Sequence, residues 1–194
     1  MERYVYNIAK EEISINRAEL AQRLKTPTGY TDDTVEKCIK QLMNSCSPKG
    51  CYVRVPVSFD AEDGVEFEFA TLRSKDLCKT LSGCKQAYLM AVTLGIEADR
   101  LVTRTSFVSK AEGFITDAIA SAMAESVIDV MNDYLKQSAE LTPRFSPGYG
   151  DLDLSCQRIV LDTLGADKLL GIKLGDNLLM TPRKSITAIC GIKE

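Results

Sequence analysis

The sequence predicts an α+β fold in which a mostly antiparallel sheet is flanked by helices, one of them long and amphipathic. Apolar residues recur every three or four positions across 110–137, which is typical of a helix of many turns. Apolar runs at 52–59, 65–70 and 85–95 are typical of strands. Helices and strands interleave without a βαβ rhythm or a Gly-x-Gly-x-x-Gly fingerprint after a strand, so a doubly wound sheet is disfavoured.

The first 48 residues are predicted to be an N-terminal helical segment. Apolar side chains in 13–25 fall near one helical face, and a Thr-Pro-Thr-Gly sequence ends this helix. Either Thr31 or Asp32 can cap a second helix, which extends to about residue 43. A Ser-Pro-Lys-Gly sequence then breaks the helical pattern.

The middle of the chain is predicted to contribute most of the sheet. The runs 52–59 and 65–70 indicate an antiparallel hairpin that turns near Asp63-Gly64. A short helix follows over 74–83. The run 85–95 is mostly apolar and ends at glycine, which predicts a central strand.

The C-terminal half mixes helices with two late strands. The patterns predict helices at 97–107, 110–137, 154–164 and 166–170, and strands at 171–174 and 184–192. We interpret 110–137 as a buried core helix, and we assign it no chemistry.

The composition is that of one globular domain of 194 residues. Apolar residues make up 45% of the chain, charged residues 26%, and the net charge is −3. No run of 18 apolar residues and no signal peptide is present, so we expect a cytoplasmic protein without a membrane partner. Because lysines and arginines are scattered, nucleic-acid binding is also disfavoured.

The chain contains no histidine, which excludes a histidine-based triad, a histidine zinc site and a histidine ligand for cobalt. Its seven cysteines include no Cys-x-x-Cys pair, so we expect free thiols and no metal site. An iron–sulfur or zinc site built from Cys46, Cys51, Cys78 and Cys84 is the alternative.

The segment Arg144-Phe-Ser-Pro-Gly-Tyr-Gly-Asp151 is the candidate binding loop. The Arg144 guanidinium offers planar donors suited to a carboxylate. Pro147 fixes its own φ, while Gly148 allows a positive φ and a close approach to the backbone. The amides of Gly148 and Tyr149 could complete a cradle for a small polar molecule. The alternative is a helix-ending Pro-Gly turn without a ligand.

The loop resembles the Arg-x-x-x-Gly-Tyr loop in the activation domain of cobalamin-dependent methionine synthase. The sequence KLGDNLLMTPRKSITAICG is similar to the final segment of that family, with these residues in matching order: Leu174, Met180, Pro182, Ser185 and Ile186. The likeness extends over an activation-domain-like core at 50–192. Upstream of the loop the sequence is similar to the short, stand-alone members of the same group. The chain length independently predicts a single domain over 1–194.

The resemblance implies S-adenosylmethionine as the ligand. Arg144 would bind the carboxylate of the methionine moiety, and the loop around Pro147, Gly148 and Tyr149 would line the ligand. The corrinoid motif Asp-x-His-x-x-Gly is missing, so cobalamin would be held by a partner. That partner would be a corrinoid-binding protein or a methionine synthase that lacks its own activation domain.

Three functions remain open. The first is an accessory protein that supports reductive remethylation of the partner's cobalamin. The second is a non-enzymatic module that docks on a corrinoid protein without S-adenosylmethionine, which fits the expected lack of the family's C-terminal tyrosine segment. The third is a thiol-based redox protein that uses the cysteines.

Overall fold

The computed structural model describes residues 1–27 and 32–193. The helices are α1 (Arg17–Leu24), α2 (Asp33–Ser45), α3 (Lys75–Thr80), α4 (Ile96–Val108), α5 (Lys110–Lys136), α6 (Cys156–Leu164) and α7 (Ala166–Leu170), with a 3-10 turn at Lys10–Glu12. Asp32 caps α2, since its Oδ1 accepts a hydrogen bond from the Val35 amide at 2.8 Å. The other predicted cap, Thr31, lies outside the described residues.

The strands form one large sheet and two small ones. They are β1 (Arg3–Asn7), β2 (Lys49–Pro56), β3 (Ser58–Phe59), β4 (Gly64–Phe67), β5 (Ala70–Arg73), β6 (Gln86–Thr93), β7 (Lys173–Leu174), β8 (Met180–Thr181) and β9 (Ser185–Ile192). The large sheet has the order β1-β2-β6-β9, and every neighbouring pair in it is antiparallel. The α+β class with a mostly antiparallel sheet is therefore confirmed.

Both faces of the large sheet are covered, which explains why β6 reads as a nearly continuous apolar run. Met90 and Val92 point into a cluster with α2, α4 and α5. Leu89 and Ala91 point into a second cluster with α6 and the small sheet β3-β4-β5. Because successive strand residues face opposite sides, a strand between two covered faces is apolar at nearly every position.

The helix α5 packs on one face of the sheet, and it is the long, buried core helix that the periodicity predicted. Its 27 residues make it about 40 Å long. Ser109 caps it by accepting a hydrogen bond from the Glu112 amide at 3.2 Å. No helix in the described part of the chain combines the length and apolarity needed to cross a membrane.

Two predicted features of the sheet are wrong. The first 48 residues are not wholly helical, because β1 lies at the sheet edge and pairs with β2. Tyr4 of β1 stacks on Tyr52 with ring centroids 5.1 Å apart. The predicted hairpin is also divided, since β2 pairs with β6 while only the short β3 pairs with β4. Pro56 ends β2, because proline cannot donate to a strand ladder.

Candidate ligand-binding site

The candidate loop lies beside the outer edge of β9. Phe145 forms a β-bridge with Ile189 through two backbone hydrogen bonds of 2.9 and 2.8 Å. The Ser146 hydroxyl donates to the Thr187 carbonyl at 2.7 Å. The loop is therefore fixed to the large sheet immediately after Arg144.

The turn that follows satisfies its own backbone donors. The Gly148 amide donates to the Leu152 carbonyl at 2.8 Å, and the Tyr149 amide donates to the Ser146 carbonyl at 3.0 Å. The expectation that both amides are available to a ligand is therefore wrong. Gly148 has a φ of +89°, and a Cβ there would lie 3.2 Å from Leu154 Cδ1. The predicted need for glycine in this turn thus has a physical basis.

Asp151 joins the end of the loop to the N-terminus of α3. Its carboxylate accepts hydrogen bonds from the Ser74 hydroxyl, from the Lys75 amide at 2.8 Å and from the Asp76 amide at 3.3 Å. The Ser74 hydrogen bond is the largest cause of a lowered Asp151 pKa, and the two amides act in the same direction. The loop is thus held at both ends by groups distant in sequence.

Asp151→Asn is expected to lower the melting temperature at pH 7. The folded-state pKa of Asp151 lies below the unfolded value of about 3.9, so its stabilising effect is complete above about pH 4 and is lost as pH falls through the folded pKa. The difference between the two proteins should therefore shrink in acid, as thermal unfolding from pH 3 to 7 would show. Asp162→Asn, at an exposed position of α6, is the control. A difference that is unchanged at pH 3 would contradict this role.

Arg144 lies against α5 and is mostly shielded from solvent. Its side chain is 25% exposed, and its Nη1 lies 2.8 Å from Asp129 Oδ1. That oxygen lies off the direction of the N–H bonds, so Nη1 is a buried donor without a hydrogen-bond acceptor among the described residues. Buried donors of this kind are uncommon, and each one calls for a physical explanation.

Glu125, one helical turn before Asp129, completes a charged group that the sequence analysis missed. It is half-buried, and burial raises its pKa, with Asp129 adding to this effect and Arg144 opposing it. Both acids lie on the helix that we interpreted as core alone. The signal that could have found them is a pair of acids spaced i, i+4 within an apolar stripe.

Glu125→Gln is expected to raise the melting temperature at pH 7. Burial places the folded-state pKa of Glu125 above the unfolded value of about 4.3, so folding favours the neutral acid. The resulting stabilisation is complete below about pH 4 and is lost as pH rises through the folded-state pKa. In thermal unfolding, the melting temperature of the variant should equal that of the wild type at pH 4 and be higher at pH 7. Glu11→Gln, at an exposed position, should change neither value. A lower melting temperature at pH 7 would show that ionised Glu125 stabilises the fold.

The final segment lies near the candidate loop. A depression of about 290 Å³ is lined by Leu154, Gln157, Leu178, Leu179, Met180 and Arg183. Leu154 also lies beside Gly148 of the loop. After a cis peptide bond at Thr181–Pro182, the Ser185 hydroxyl donates to the Pro182 carbonyl at 2.7 Å. The two segments that carry the sequence resemblance are thus neighbours in space.

The structure places all seven cysteines within residues 1–27 and 32–193. None of the seven forms a disulfide, and no group of three or more cysteine and acidic side chains is arranged to hold a metal ion among these described residues. Burial raises the pKa of Cys51 and of Cys190 to about 12, and it also raises the pKa of the half-buried Cys78 and Cys156. Thiols with raised pKa values are poor nucleophiles at neutral pH, which disfavours a thiol-based redox function.

Comparison with solved structures identifies the same fold that the resemblance implied. The chain is similar, with a TM-score of 0.74, to the MetH reactivation domain. That domain was crystallised with bound AdoHcy (S-adenosylhomocysteine). The match covers 99% of this chain and 78% of that one at 14% sequence identity. Neither a protein-family model nor a curated protein matches the sequence. The chain therefore has the fold of the MetH reactivation domain.

Proposed function

We propose that this protein binds S-adenosylmethionine at the Arg144 loop and supports reductive remethylation of cobalamin on a separate protein. The observation that carries the proposal is the buried Arg144 Nη1 donor without a hydrogen-bond acceptor. It lies in the loop whose sequence resembles the activation-domain loop. The fold shared with an AdoHcy-bound domain supports the same ligand class.

The charges around Arg144 suit the amino-acid end of this ligand. A zwitterion needs a cation for its carboxylate and an anion for its ammonium group. Arg144 would supply the first, and Glu125 or Asp129 the second. Gly148 would shape the turn rather than donate its amide, and Tyr149, which is 58% exposed, would offer its ring to the ligand.

The proposed reaction demands placement more than acid–base chemistry. An external electron donor would first reduce the partner's cobalt. The sulfonium methyl group would then pass to that cobalt, which would supply the electron pair for the new bond, while the sulfur would keep the pair of the broken C–S bond and leave as a neutral thioether. No proton moves in this step, so a chain without histidine can support it. The partner would be a methionine synthase without its own activation domain or a related corrinoid methyltransferase, in the cytoplasm.

One observation favours the second function, a module that docks on a corrinoid protein without this ligand. The amides of Gly148 and Tyr149 are already bonded within the turn, which leaves fewer donors for a small molecule. Calorimetric titration of the wild type with S-adenosylmethionine distinguishes the two functions. Saturable binding, followed by transfer of a labelled methyl group to the cobalamin of a corrinoid methyltransferase in the presence of a reductant, supports the first. If S-adenosylmethionine does not bind at millimolar concentration, the first function is excluded.

A further inference from the structure

Arg144 and Asp129 differ in their freedom to move. The Asp129 side chain is 62% exposed, whereas that of Arg144 is only 25% exposed. A carboxylate near the surface of α5 can rotate into water at little cost. The shielded guanidinium cannot, so it must either keep this neighbour or acquire another anion.

The present ion pair leaves the guanidinium incompletely bonded. Asp129 Oδ1 is 2.8 Å from Arg144 Nη1 but off the N–H direction, so the contact is Coulombic without a well-formed hydrogen bond. A carboxylate that meets both donors of the fork binds more strongly than one in this arrangement. A ligand carboxylate and Asp129 therefore compete for the Arg144 guanidinium, and the ligand that meets both donors of the fork displaces Asp129.

We propose that Asp129 is a displaceable counter-ion that pairs with Arg144 when no ligand is bound and lowers the affinity for ligands with a carboxylate. This inference rests on the proposed function. Glu125 would keep its place during the exchange, since it is half-buried and not the direct partner of Arg144. Displaced Asp129 would then face solvent, and Glu125 would be the anion left near the ligand's ammonium group.

The test uses the full chain, AdoHcy as the probe and the variant Asp129→Asn. Removing the competing charge should tighten binding about two- to fivefold, the range expected for a partly exposed ion pair. Asp133→Asn is the matched control, because Asp133 lies one turn further along α5 and pairs with Lys136 at 2.9 Å. The affinity of Asp133→Asn for AdoHcy should equal that of the wild type. The second probe, 5′-methylthioadenosine, has no carboxylate and should bind the wild type and Asp129→Asn equally.

The possible outcomes separate this inference from the function on which it rests. Unchanged AdoHcy affinity in Asp129→Asn overturns the counter-ion role while AdoHcy binding by the wild type stands. Weaker binding also overturns it, and would assign Asp129 to the ligand's ammonium group instead. Equal tightening in Asp133→Asn would show a general charge effect and overturn the specific role. If neither the wild type nor the two variants bind AdoHcy, the proposed function fails, and the inference fails with it.

Discussion

Arg144→Ala is expected to weaken AdoHcy binding more than tenfold in calorimetric titration. A hydrogen-bonded contact between a charged donor and a carboxylate contributes about 1.5–3 kcal/mol. Arg144 has the required buried, unsatisfied donor, and its loop is held by the bridge between Phe145 and Ile189. The melting temperature should change little, because the ion pair lost with Asp129 is partly exposed.

Two further variants test the Arg144 assignment. Arg144→Lys keeps the charge but loses the planar fork, so its affinity should lie between those of the wild type and Arg144→Ala. Arg158→Ala removes an exposed arginine on α6 and should leave the affinity unchanged. If Arg144→Ala binds AdoHcy as tightly as the wild type, the assignment of Arg144 to the carboxylate is wrong.

Gly191→Ala is expected to lower the free energy of unfolding by about 1–3 kcal/mol, as for other over-packed core positions. A Cβ at Gly191 would lie 2.5 Å from Cys84 Sγ and 3.1 Å from Leu81 Cδ2 and Thr142 Cγ2. The Gly191 carbonyl also accepts a hydrogen bond from the Thr142 amide at 2.9 Å. A shift of β9 would therefore disturb the chain that leads into the Arg144 loop. Denaturant unfolding measures the change.

A double-mutant cycle shows whether the contact with Cys84 is the cause. Cys84→Ala removes the nearest atom, so Gly191→Ala should cost less in that background than in the wild type. The two substitutions should couple by at least about 0.5 kcal/mol, as residues in contact do. Additive effects of the two substitutions would exclude the sulfur contact as the source of the loss.

The sequence predicted best those elements whose signal is local and long. The stripe at 110–137 became α5, with bounds within one residue at its C-terminal end. The apolar run at 85–95 became the central strand β6, since a strand covered on both faces carries its own pattern. The strand at 184–192 became β9 for the same reason.

Strand pairing between distant segments was less predictable. Four of the five residues in β1 are exposed, so no apolar alternation indicated a strand there. Its partner β2 begins more than 40 residues later. The predicted hairpin failed at Pro56, where β2 ends and the chain turns away from its expected partner.

The candidate site was predictable only in part, because its partners come from distant elements. The loop containing Arg144 was identified from a short motif. Its neighbours Asp129 and Glu125 lie on a helix with a strong core pattern, which concealed them. The capping contact of Asp151 with Ser74 joins residues 77 positions apart, and no local pattern encodes such a contact.

The most direct test is an NMR titration that follows the Arg144 side chain. In protein labelled with ¹⁵N-arginine, the Nε–H signal of Arg144 can be assigned by its loss in Arg144→Lys. We expect this signal to shift on saturation with AdoHcy and to shift less with 5′-methylthioadenosine, which has no carboxylate. An unmoved Arg144 signal in protein saturated with AdoHcy would show that the ligand's carboxylate binds elsewhere.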